Sequence, residues 1–288
     1  MLPLKKIYID SRDRTPDSKS SSNFKIELPY TVQMPENTIF FVTDVCIPHV
    51  WTTVEEDKND RLYLYYRTPS GHLPVQLATK SESWRVVTLT PRNYNLSTLA
   101  TEIQTQLNDA LDSNAKSFTS FIVTSDATSF SITISLSSTS NCYFKLYTDS
   151  EVRSSSINWI GGSVDPYNVK SANDVLKLVS PMDETTSITS GFVNLNQIHN
   201  VYLTSPNLGS FDTIASFSNN IIKKIPVTAD YGQMILDQFI STNDFLDCSR
   251  QTLKTLEFHL RDGRGNEINL HGMYITFSLV FNKYNLEI

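Results

Sequence analysis

The sequence predicts an all-β protein of the sandwich or barrel type. Three observations carry that expectation. Short apolar runs recur between turn signals along most of the chain, and several alternate strictly between apolar and polar residues, the period of a half-buried strand. Ser and Thr make up 64 of the 288 residues against 9 Gly, a bias toward hydroxyl and β-branched side chains that suits exposed strand faces and loops. Only one segment follows the 3.6-residue period of a helix. With 40% hydrophobic and 19% charged residues the chain is too apolar to stay disordered. A chain of this length buries roughly 75% of the surface its unfolded form exposes, so its core needs neither disulfides nor a structural metal.

Residues 1–23 read as an N-terminal extended arm or an edge strand leading into the domain. The run Lys6-Ile7-Tyr8-Ile9 alternates, and a polar stretch follows from Asp10 to Asn23. The first thirty residues hold six basic and four acidic groups, +2 in a chain whose net charge is −6. Such an arm either lies solvated or docks on a neighbouring subunit, and its removal is expected to leave the fold intact.

From Phe24 onward the strands are expected in turn. Residues 24–28 alternate and stop at Pro29, while residues 39–47 are apolar on both faces and belong in the middle of a sheet. Further strands are expected at 62–66, 84–89, 118–123, 130–136 and 143–147. After Pro91, Leu96, Leu99, Ala100, Ile103, Leu107, Ala110 and Leu111 share one helical face, with Asn95 as N-cap. This predicts one amphipathic helix, inserted near 95–112 and lying on a sheet. Strands resume at 175–179, 198–203, 221–227, 253–260 and 273–281. The last two are joined through Asp262-Gly263, whose Gly is expected to supply a positive φ, so a β-hairpin or near-hairpin closes the domain. No internal repeat or linker divides the chain, which makes 24–288 a single domain with a polar loop or small insertion region near 137–196.

The search for chemistry returns no catalytic residue, no metal ligand set and no cofactor-binding motif. There is no phosphate-binding loop; Gly161-Gly162 is an isolated pair. His49, His72, His199, His259 and His271 show no metal-binding spacing, although His259 and His271 would approach if their strands paired. Glu55-Glu56-Asp57 and Asp183-Glu184 lie in polar stretches where solvated loops are expected, and no Ser sits in a GxSxG elbow. Cys46, Cys142 and Cys248 are too far apart for a CxxC pair, so a reducing compartment is expected. No membrane span and no secretory signal are read. The acidic balance argues against nonspecific nucleic-acid binding by the chain as a whole.

Two segments carry a resemblance. The opening IYIDSRDRTPDSKSSSNFKIELP and the ending LKTLEFHLRDGRGNEINLHGMYITFSLVF resemble the first and last strands of the penton (minor capsid) proteins of virophages and Polinton-like viruses. PRNYNLSTLATEIQTQLN is similar to that family's strand-turn-helix insertion, and VYLTSPNLGSF followed by IIKKIPV is a further echo. The resemblance implies a single jelly-roll β-sandwich of two antiparallel sheets, with no enzymatic activity. It implies a virion protein, assembled inside the host cell, that forms homopentamers at the icosahedral vertices and contacts the double jelly-roll trimers of the major capsid protein. Neither membrane insertion nor specific nucleic-acid binding is implied. The alternative is a viral jelly-roll attachment or carbohydrate-binding module in which Trp51, Trp159 or Tyr167 stack on sugars. A β-sandwich hydrolase would require acids distant in sequence to converge.

Overall fold

The computed structural model describes residues 5–69, 80–138, 140–162, 164–178, 183–208, 213–214 and 218–284; His72 lies outside them. The chain divides into two compact units, Met1–Trp51 with Ile198–Ile288 and, between these segments, Thr52–Gln197. The single domain expected for 24–288 therefore gives way to two, and the region 137–196 is part of a unit that begins far upstream of it. The reason is in the packing: one set of buried side chains is drawn wholly from the first unit and two others wholly from the second.

The first unit contains β1 (Lys5–Asp10), β2 (Asn23–Gln33) and β3 (Thr38–Pro48). The second contributes β4 (Arg61–Pro69), β5 (Lys80–Thr88), α1 (Leu96–Ala110), α2 (Ser113–Phe118), β6 (Phe121–Asp126), β7 (Ser131–Leu136), β8 (Tyr143–Leu146), α3 (Asp149–Ser154), α4 (Asn173–Leu176) and β9 (Ser187–Thr189). The chain then returns to the first unit with β10 (Asn200–Thr204), the two-residue pair β11 (Thr213–Ile214) and β12 (Ser218–Asn219), and β13 (Ile221–Pro226). Last come β14 (Met234–Asp237), β15 (Leu246–Asp247), β16 (Thr252–Arg261) and β17 (Thr276–Lys283).

In the first unit one sheet runs β1-β17-β3-β14, with β15 also on β3, and the other runs β13-β10-β16-β2. All pairings in both are antiparallel. Numbering its eight principal strands in chain order gives 1-8-3-6 for the first sheet and 5-4-7-2 for the second, the strand order of a jelly roll. Both sheets feed one core. Across it the Phe258 ring of β16 meets the Phe277 ring of β17 edge-on, with centroids 5.0 Å apart, and Phe24, Phe40, Phe258 and Phe281 are wholly buried. As expected, β3 is central.

Several sequence expectations are corrected here. β2 does not stop at Pro29 but continues to Gln33, because it is the outer strand of its sheet and a proline there costs no ladder hydrogen bond. Of the two readings of the N-terminal segment, the edge strand holds and the free arm does not: β1 pairs with β17 from Lys5 to Asp10 at the sheet margin, and Ile9 is 2% exposed in the core. The closing strands β16 and β17 form no hairpin and lie in different sheets. The chain does turn back after β16, where Ile268 N–H donates to the Leu260 carbonyl at 3.1 Å. Buried Ile268 and Leu270 then carry it toward the first sheet, where β17 lies. The positive φ in that turn falls on Gly265 (+87°) rather than Gly263, and His271 and Gly272 supply the second reversal at +49° and +82°.

The second unit holds two three-stranded antiparallel sheets, β5-β4-β8 and β6-β7-β9. The predicted helix is α1. The Asn95 side chain accepts from Thr98 N–H at 2.8 Å, and Thr98 Oγ1 accepts from Asn95 N–H at 3.0 Å, so two otherwise orphan donors are satisfied reciprocally. Leu96, Leu99, Ala100, Ile103 and Leu107 are its buried stripe. Its polar flank is fixed to β6: Gln104 Oε1 accepts from Val123 N–H at 2.8 Å and Asn108 Oδ1 from Phe121 N–H at 2.7 Å. Where one inserted helix was expected, four are found among the described residues. One of them, α4, replaces the strand expected at 175–179: Ala172, Val175 and Leu176 have the i, i+3, i+4 spacing of one helical face, and all three are buried.

Candidate functional site

The residues that sequence reasoning weighed for chemistry do not converge. His259 Nε2 lies 3.1 Å from Glu257 Oε1, and its Nδ1 is 3.4 Å from the Arg261 guanidinium. Burial and Arg261 together hold its pKa below the ordinary value. His271 sits in the reversal after β16, its N–H donating to Asn269 Oδ1. His49 Nδ1 is 2.7 Å from the Ala229 carbonyl, and its ring packs against Trp51 at a tilt of 36°, centroids 4.4 Å apart. Glu55 pairs with Lys58, Asp57 with Lys170 and Arg61, and Glu184 with Arg67, so three of the five carboxylates in the two clusters are held in ion pairs. Among the described residues no group of three His, Cys, Asp or Glu is placed to hold a metal, and no helix is long and apolar enough to cross a membrane. Burial raises the Cys142 thiol and pushes Cys248 up to about 12, leaving both unreactive.

The aromatic residues weighed for sugar stacking fare little better. Trp51 and Trp159 are buried, the latter edge-on between Tyr63 and Tyr147. Only Tyr167 is open, and it stands without an aromatic neighbour among the described contacts.

A cleft of about 340 Å³ opens beside the turn after β16, lined by Arg14, Lys19, Ser20, Glu267, Asn269 and Gly272 among others. Its chemistry is structural. Glu267 accepts from Ser20 Oγ at 2.5 Å, Asn23 Nδ2 at 3.2 Å and Lys19 Nζ at 3.3 Å, tying the connection between β1 and β2 to the far end of the chain. Burial alone would raise this carboxyl's pKa; the three donors outweigh it and hold the group below the usual carboxylate range.

The least expected surface of the first unit is the margin of its larger sheet. Among the described residues β14 pairs only with β3, and it exposes Met234 and Leu236 while burying Ile235. The loop after it exposes Phe239, Ile240 and Phe245. That loop is held by Lys223, whose side chain is 3% exposed. Its ammonium donates to the Phe239 carbonyl and lies 3.2 Å from Asp244 and 3.6 Å from Asp237. Sequence reasoning assigned no element to residues 228–252. The signals were a lysine pair inside the apolar run Ile221-Ile222-Lys223-Lys224-Ile225 and the dense apolar set from Met234 to Ile240.

The sequence matches no family model and no curated protein. Among solved structures it is similar to the crystal structure of the selenomethionine-labelled mavirus penton protein. The two superpose with a TM-score of 0.54 at 12% sequence identity, over 97% of this chain and 100% of that one. At that identity the likeness concerns the fold, a β-dominant, antiparallel and broadly jelly-roll-like architecture carrying some helix.

Proposed function

We propose that this chain is a penton-type minor capsid protein: a non-enzymatic virion component whose jelly roll forms homopentamers at the vertices of an icosahedral shell and contacts the surrounding major capsid protein. The observation that carries the reading is the 1-8-3-6 and 5-4-7-2 strand order of the first unit, in a chain that superposes along nearly its whole length on a viral penton protein. A fivefold ring repeats one head-to-tail contact, so the subunit must present two different faces that fit each other.

Electron microscopy of the purified chain tests the proposal. Rings with five copies are expected. A protein that stays monomeric at high concentration and binds glycans would overturn it in favour of an attachment module.

A further inference from the structure

Among the described residues the larger sheet of the first unit has two unpaired margins, β1 and β14, and they differ in chemistry. On the β14 side, residues 221–247 carry two lysines against four aspartates, net −2. Leu236 and Phe239 there are 67% and 74% exposed, beside Met234 and Ile240. Single exposed apolar side chains need no explanation, but four within the seven residues from Met234 to Ile240 mark a contact surface. The buried Lys223 clamp gives the loop a set shape, so little ordering entropy is lost on docking.

The β1 side is aromatic and rich in cations. Residues 5–30 carry six cations against four acids, two of the cations, Lys6 and Lys19, being paired with Asp44 and Glu267 from elsewhere in the unit. Tyr8 is 76% exposed and Tyr30 60%. Lys5 joins the neighbouring strands β1 and β2 into one surface, its ammonium 3.0 Å from Tyr30 Oη and 4.3 Å from the centre of that ring.

Strand polarity makes the two margins compatible. Directions alternate across β1-β17-β3-β14, so β1 and β14 run oppositely. When successive copies are related by rotation about an axis running along the strands, β14 of one copy lies antiparallel to β1 of the next. We propose that this is the contact between copies of the chain: the acidic, apolar β14 margin and its loop dock against the cation-rich, aromatic β1 and β2 margin of the adjacent copy. Two acidic β14 margins would repel, which disfavours a symmetric dimer through that edge. The inference rests on the penton-type reading and names the surfaces that reading requires.

The test uses the full chain and two double variants, Leu236→Asp with Phe239→Asp and Tyr8→Asp with Tyr30→Asp. All four positions are exposed, and circular dichroism and thermal melting should match the parent. In sedimentation velocity the parent should form a closed ring, and each variant alone should associate roughly 30-fold more weakly or not at all. An equimolar mixture of the two variants should give a one-to-one heterodimer, because one intact margin remains on each partner. The inference is overturned if the parent forms rings and either variant still does, or if the mixture stays monomeric; pentamer formation by the proposed function would then stand through other surfaces. A parent that is monomeric at high concentration overturns the penton-type reading and the inference with it.

Discussion

Ile9 and Tyr8 are neighbours on β1, and the pleat sends them to opposite faces, so they offer a controlled test of whether this strand belongs to the core. Ile9 is 2% exposed within the sandwich, whereas Tyr8 is 76% exposed. Replacing a fully buried Ile by Ala removes transfer free energy and leaves a cavity, at a cost of about 2–5 kcal/mol. For a domain of this size a loss of about 3 kcal/mol lowers the melting midpoint by about 6–12 °C. Tyr8→Ala removes a larger side chain from solvent and should change stability by no more than about 0.5 kcal/mol. Differential scanning calorimetry of the two variants beside the parent reads the contrast. Equal, small effects would mean that β1 is an undocked arm; a larger effect at Tyr8 would mean that the strand register is wrong by one residue. By the same reasoning, deletion of residues 1–23 should leave the first unit poorly soluble. It strips the β17 margin, removes the paired hydrogen bonds between Ser11 and Ile275, and takes away the donors to Glu267.

Other expected outcomes are shorter to state. Asn95→Ala removes the α1 cap and should cost about 1 kcal/mol, read by thermal melting. Lys223→Met should cost about 3–5 kcal/mol, because it leaves Asp237 and Asp244 half-buried without their cation, and limited proteolysis should then cut near 237–245. Glu267 is ionised in the fold with its pKa held below the ordinary 4.5. Its contribution is therefore full above pH 4.5 and fades as pH falls through the depressed value, so Glu267→Gln should lower neutral stability and flatten the acid limb of a pH–stability curve. Cys142 and Cys248 should react with thiol reagents only when the chain unfolds.

The parts of this fold that sequence reasoning reached are those in which local pattern and tertiary burial agree. α1 was legible because its apolar stripe, its Asn95 cap and its place on a sheet all point the same way. β3 was legible because a strand buried on both faces reads as a continuous apolar run. The helix α4 was not, since the short apolar pairs Val175-Leu176 and Leu178-Val179, split by Lys177, fit either structure, and only the burial of Ala172 alongside Val175 and Leu176 selects the helix. The missing hairpin has a similar origin. Asp262-Gly263 is a sound turn signal, and the chain does turn there, but the intervening Ile268 and Leu270 prefer the core, and positive φ at His271 and Gly272 redirects the chain to the other sheet. The exposed β14 margin carried no motif at all, because a surface shaped for another protein looks, in one sequence, like an ordinary strand with its apolar residues misplaced.

The two-unit division left no composition shift because the second unit is spliced into a single connection of the first. It occupies the passage from β3 to β10, and its two ends are bonded to each other. Thr53 Oγ1 lies 3.3 Å from the Leu195 carbonyl, and Gln197 Nε2 donates to the Thr53 carbonyl at 3.3 Å. A segment that leaves and returns at nearly one point adds little loop-closure cost to its host, so no flexible linker is required. The host's buried side chains are supplied by Met1–Trp51 and Ile198–Ile288 without help from the inserted unit. Excising Thr52–Gln197 and joining its flanks with a few Gly and Ser residues should therefore leave a soluble, cooperatively melting protein whose circular dichroism has lost the α1 signal and kept the β signal. An insoluble or noncooperative product would mean that the jelly-roll core depends on the spliced unit, and that the chain folds as one body despite its two separate sets of buried side chains.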